Sequence, residues 1–108
     1  MKINKAPNIN FLWAQLIVEE LARDGVEHIC LSPGSRSAPL AAAVAENKQI
    51  APLVHHDERG LAFYALGLTA ATGRPTVLIS TSGTAGANFY PAIIEASKKK
   101  LPLIVITA

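Results

Sequence analysis

Apolar residues follow two rhythms along this chain. From Phe11 to about Arg23 they recur at helical spacing: Leu12, Leu16 and Ile17, then Val18 and Leu21, share one stripe. Asn10 stands where a cap belongs, and Gly25 follows where such a helix stops. The second rhythm is the short unbroken apolar run. His28–Leu31 reads as a short buried strand, and Ile50–Val54, Thr76–Ser80 and Leu101–Thr107 read as the second, third and fourth strands. Between them lie alanine-rich segments with helical character. One is capped by Ser37, carries Pro39 in its first turn and ends near Asn47. One spans about Arg59 to Thr72 and is closed by Gly73, and one spans about Ala87 to Lys99.

The predicted order is α-βαβαβαβ. Apolar strands joined by helices mean an α/β fold, an open parallel sheet with helices on both faces and right-handed crossovers. In such sheets ligands bind beyond the carboxyl ends of the strands. Three polar loops follow strands and so share that edge: Ser32–Ser37, His55–Gly60 and Thr81–Gly86. The chain stops at Ile106-Thr107-Ala108, directly after an apolar strand, where an open α/β domain goes on to a covering helix. The expectation is most of one N-terminal domain, residues 1–108, C-terminally incomplete, with exposed apolar surface and a tendency to self-associate.

Composition narrows the function. Half of the 108 residues are hydrophobic and 17% are charged, enough for a core and too apolar for disorder. A net charge of +2 gives no argument for nucleic acid. The one basic run, Lys98-Lys99-Lys100, matches the negative end of a helix dipole. Cys30 is the single cysteine and reads as a buried, inert thiol, so neither a disulfide framework nor a cysteine zinc site can form within one chain. The N-terminus has no apolar signal core and no run reaches membrane-spanning length, which makes a cytoplasmic protein without membrane insertion the default expectation.

The loops carry the candidate chemistry. Ser32–Ser37 combines hydroxyls, the Arg36 guanidinium and a helix N-terminus, which suits an anion. An ordinary capping turn with an exposed arginine fits the same spacing. Thr81–Gly86 lacks the ending of a phosphate-binding P-loop. Its small residues allow either close approach of a ligand to the backbone or a purely structural turn. His55 and His56 are adjacent, so on a strand they point to opposite faces and do not share a metal ion. Glu58, between an apolar strand and a small-residue helix, is the carboxylate best placed for chemistry. Taken out of water, it can share a proton with a ligand nitrogen.

Three segments together carry a resemblance: Ser-Pro-Gly-Ser-Arg-Ser-Ala-Pro-Leu (32–40), His-Asp-Glu-Arg-Gly-Leu-Ala (56–62) and Thr-Ser-Gly-Thr-Ala-Gly-Ala-Asn-Phe-Tyr-Pro-Ala (81–92). In order and spacing, from about Trp13 to Ala108, the chain resembles the 2-succinyl-5-enolpyruvyl-6-hydroxy-3-cyclohexene-1-carboxylate synthases. These are thiamine-diphosphate transferases of menaquinone biosynthesis. The last segment is shared more broadly with acetohydroxyacid synthases. The resemblance implies a pyrimidine-binding domain in which Glu58 is catalytic, hydrogen-bonding N1′ of the cofactor's aminopyrimidine. It also implies that Ser32, Thr81, Ser82 and Gly83 line the cofactor edge, and that Ser35 and Arg36 face substrate, with Arg36 suited to a carboxylate of isochorismate. Asp57 and Arg59 are family types that pair or brace the turn.

The implied reaction decarboxylates 2-oxoglutarate and adds the succinyl carbanion equivalent to isochorismate. In this family Mg²⁺ (or manganese) and the diphosphate are held by a separate domain with a Gly-Asp-Gly…Asn signature, and the site forms between subunits of a dimer or tetramer. That signature does not occur here. The expectation is therefore that these residues alone do not turn over substrate. Two alternatives stay open: another thiamine-diphosphate decarboxylase or carboligase of the acetohydroxyacid synthase kind, and a non-catalytic anion-binding α/β module using Ser32–Ser37.

Overall fold

A computed structural model describes residues 5–108. The reading of the N-terminal segment rests partly on residues 1–4, which lie outside them. Helices α1 (Ile9–Arg23), α2 (Ala38–Glu46), α3 (Glu58–Thr72) and α4 (Tyr90–Lys99) alternate with strands β1 (His28–Leu31), β2 (Ala51–Val54), β3 (Thr76–Ser80) and β4 (Leu103–Thr107). All strand pairs are parallel and the order is β2-β1-β3-β4. The expected α/β fold is therefore present. The chain leaves β1 toward one side and reaches β3 on the other, so the order reverses between these two strands. Their carboxyl ends form the topological switch point.

Period-2 alternation splits the core into two layers. Ile29, Leu31, Val77 and Ile79 pack under α1 and α2 with Ala14, Val18, Ala43 and Val44. Cys30 and Leu78 pack on the other face under α3 and α4, with Leu61, Ala62, Ala65, Phe89 and Ala92. Cys30 is fully buried, and burial pushes its thiol up to about 11. β3 is buried at every position, because it has neighbours on both edges and helices on both faces.

The expectation of covered strands fails at the sheet margins. β2 pairs on one side only, and Val54 is 57% exposed. The N–H groups of Ala51 and His55 point inward, donating to Glu27 O at 2.7 Å and Leu31 O at 3.2 Å. Position 52 therefore faces outward, and it holds proline, which has no N–H to donate. β4 is only partly covered, and Val105 is exposed.

Several boundaries differ from the sequence reading for local reasons. Asn8 rather than Asn10 caps α1, its side chain accepting from the N–H groups of Asn10 (3.0 Å) and Phe11 (3.2 Å). The buried side of α1 is centred on Ala14 and Val18, so Ile17 turns outward with Ile9 and Trp13. Gly25, at φ +92°, ends α1 as expected: its N–H reaches Ala22 O while Val26 N–H reaches Leu21 O. Gly73 closes α3 at φ +71°. Ser37 stands at the start of α2, but its hydroxyl donates back to Gly34 O (3.1 Å) and caps nothing. Residues Ser35–Ser37 form a short 3₁₀ turn instead. The fourth helix also begins as a 3₁₀ turn, Gly86–Phe89, because Pro91 fits only the first turn of an α-helix. β4 starts at Leu103, since Leu101 N–H closes α4 onto Ala96 O and Pro102 lacks a donor. Lys98 and Lys99 lie in the last turn of α4, the favourable end for cations.

Candidate functional site

The switch point gathers the three polar loops. Ser32 N–H continues the β1–β3 ladder, donating to Ile79 O at 3.0 Å. Two residues on, Gly34 lies so close to the β3 loop that a Cβ built on it would sit inside the Thr81 side chain. The Ser32–Ser37 and Thr81–Gly86 loops are thus interlocked, and only glycine fits at 34. The second loop is fixed in turn against β4: a Cβ on Gly86 would come within 2.9 Å of Thr107 Cγ2. Ser80 Oγ donates to Thr81 O (3.1 Å), and Asn88 Nδ2 donates to Thr84 O (3.0 Å). Between these anchors Ser82, Gly83 and Thr84 are exposed, and Gly83 takes φ +76° with open space around it. The backbone of this turn is open to a close-lying ligand.

The third loop is braced from within. His55 and His56 lie beyond the end of β2 rather than on it. His55 Nδ1 accepts from Asp57 N–H (3.0 Å). Asp57 is the N-cap of α3, its carboxylate accepting from Arg59 N–H and Gly60 N–H, both at 3.3 Å. That gives Asp57 the bracing task; no ion pair joins it to Arg59 among the described residues. Glu58 becomes the first helical residue, one position earlier than the sequence suggested. Its side chain is half-buried rather than enclosed, and its carboxylate has no hydrogen bond or ion pair among the described residues. The chain supplies the position of Glu58 and leaves part of its seclusion to whatever covers the crevice.

Arg36 lies on the α1–α2 side of the same edge. It is exposed, carries no ion pair among the described residues, and lines an open groove of about 490 Å³ with Trp13, Leu40, Ser82, Ile106 and Thr107. Arg36 and Ser82 are thus brought together, with Ser35 beside them in the chain, while Glu58 approaches from the α3 side. Sequence reasoning passed over Trp13, which is 60% exposed and walls this groove. The available signal was Ile9, Trp13 and Ile17 recurring every four residues on a face of α1 beside its buried alanine and valine.

The model of the family described as "Thiamine pyrophosphate enzyme, N-terminal TPP binding domain" matches residues 13–108. The chain belongs to this family. Curated proteins named 2-succinyl-5-enolpyruvyl-6-hydroxy-3-cyclohexene-1-carboxylate synthase are similar to this thiamine pyrophosphate enzyme domain. The protein from Haloarcula marismortui is 54% identical over 103 residues, 95% of this chain and 17% of that protein. Those from Shewanella frigidimarina and Shewanella sediminis are 52% and 51% identical over 107 residues, 99% of this chain and 18% and 19% of theirs. The chain therefore spans less than one fifth of the length of the relatives it matches.

The residues at the edge fit a part of the family's cofactor that offers hydrogen-bonding groups. A crevice offers an open glycine turn, an unpaired carboxylate and, at Ser32 Oγ, a buried hydroxyl with no partner. Among the described residues, no cluster of three or more metal-ligating side chains occurs, and no helix is long and apolar enough to cross a membrane.

Proposed function

We propose that this chain is the pyrimidine-binding domain of a thiamine-diphosphate-dependent 2-succinyl-5-enolpyruvyl-6-hydroxy-3-cyclohexene-1-carboxylate synthase. The observation that carries the reading is Glu58: an unpaired carboxylate on the first residue of α3, at the switch-point edge of a thiamine pyrophosphate enzyme domain. When bound, the cofactor supplies the electron sink for loss of carbon dioxide from a 2-oxo acid.

The chain's own residues prepare that chemistry. Glu58 holds a proton at the ring nitrogen N1′, and the Asp57 cap and His55 brace fix the turn that presents it. Ser32, Thr81, Ser82 and Gly83 line the seat, with the interlock at Gly34 setting its width. Arg36 grips a substrate carboxylate in its planar fork, with Ser35 beside it and Trp13 walling the same groove. The substrates are 2-oxoglutarate and isochorismate, the product serving menaquinone biosynthesis in the cytoplasm. Diphosphate and Mg²⁺ are held by a further domain, and a second subunit completes the site in a homo-oligomer. Identity of just over half to curated synthases supports this assignment over an acetohydroxyacid synthase-like enzyme.

The test is Glu58→Gln in a full-length enzyme carrying this domain. Turnover of 2-oxoglutarate with isochorismate should fall by about 100-fold or more, because a fixed amide replaces a mobile proton. Circular dichroism and melting should stay unchanged. Near-normal turnover removes Glu58 from the role.

A further inference from the structure

Among the described residues two buried side-chain atoms capable of hydrogen bonding lack a partner, Gln15 Oε1 and Ser32 Oγ. Ser32 stands at the switch point and is 1% exposed. Its backbone is engaged, donating to Ile79 O, so the residue is held while its hydroxyl is not. An unpaired buried hydroxyl costs folding free energy that an alanine in the same place does not. Side chains alternate along a strand, and Cys30 packs into the α3–α4 layer, so Ser32, two residues on, faces that layer too. From that side α3 begins with Glu58. On the neighbouring strand Ser80 ends β3 in the equivalent place, and its hydroxyl is already committed to Thr81 O. Of two serines that finish the two central strands, one is paired and one is kept free.

We infer that Ser32 is a positioning residue of the pyrimidine seat: its hydroxyl, unpaired between the start of α3 and the Gly34–Thr81 interlock, takes its hydrogen bond from the seated ring, directly or through one water. The inference rests on the reading of the crevice given above. It gives Ser32 two effects of opposite sign. In the free chain the hydroxyl weakens the fold; with the ring in place it strengthens the complex.

The test compares the wild-type chain with Ser32→Ala. Urea unfolding of the free proteins should show the variant's folding equilibrium shifted about tenfold toward the folded state. Titration of a full-length enzyme carrying this domain, and of its Ser32→Ala variant, with thiamine diphosphate should show about tenfold weaker binding to the variant. In the wild type, slowed amide hydrogen exchange on binding in residues 32–37, 55–60 and 81–86 reports the seat itself. No protection there overturns the reading of the crevice and this inference with it. Where the wild type binds and Ser32→Ala lowers the stability of the free chain, the hydroxyl is paired within the fold, and the inference falls while the seat stands. Equal affinity of the two proteins also overturns it.

Discussion

At the amino-terminal edge of the sheet, polar groups close on one another, whereas at the carboxyl-terminal edge three of them, on Ser32, Arg36 and Glu58, are left open. Thr69 Oγ1, in the last turns of α3, lies 3.0 Å from Thr76 Oγ1 and 3.2 Å from Pro102 O. A hydroxyl has one proton, so the consistent arrangement has Thr69 donating to the carbonyl and accepting from Thr76. That small network ties α3, β3 and the approach to β4 together, and Arg74 pairs with Glu27 beside it. At the other edge Ser32 Oγ is unpaired, and Glu58 and Arg36 carry no ion pair among the described residues. Stability alone gives no reason to finish two ends of one sheet so differently. The open end keeps hydrogen-bonding capacity that the described residues do not use.

The sharpest way to break the contrast is to crowd the tightest contact of the open end. Gly34→Ala should destabilise the fold by about 3 kcal/mol, since the new methyl meets the Thr81 side chain rather than a yielding terminus. Urea unfolding measures the loss, and adding Thr81→Gly should recover most of it. At the closed end, Thr69→Val keeps the shape and deletes the shared hydroxyl. Leaving Thr76 and Pro102 O without their partner should cost about 1.5 kcal/mol by the same measurement. A neutral outcome would mean the closed end is not held by its polar network.

The effect that vanishes at neutral pH belongs to Cys30, which lies between the ends in the apolar layer. Its thiol loses its proton at about 11 in the fold, against an ordinary 9.0. Below pH 9 both states keep the proton and Cys30 adds no slope. Between 9 and 11 the unfolded chain releases it first, so stability falls as pH rises. Urea midpoints across that range should fall more steeply for the wild type than for Cys30→Ala.

The central features were legible because burial on both faces writes an unbroken apolar run. Thr76–Ser80 was read to the residue for that reason. The second strand was found within a residue, but its edge position was not legible, because Ala-Pro-Leu-Val is equally apolar whether it has one neighbour or two. Pro52 was the signal that separates the cases. Asn8 and Asn10 are chemically identical caps two residues apart, and only the turn geometry selects between them. That Ser32, Glu58 and Thr81 share an edge followed from strand order alone. That Ser32 is unpaired depends on distances no sequence pattern encodes.

Pro52 also bears on the behaviour of the protein in a crowded solution. A free parallel edge is a template onto which a strand of another molecule can zip through its backbone. On β2 the outward side falls to positions 52 and 54, and the ring at 52 removes the first donor in that row. A growing β-ladder would meet a gap at its first rung. This one residue interrupts the row of outward donors along the most exposed strand of the described residues.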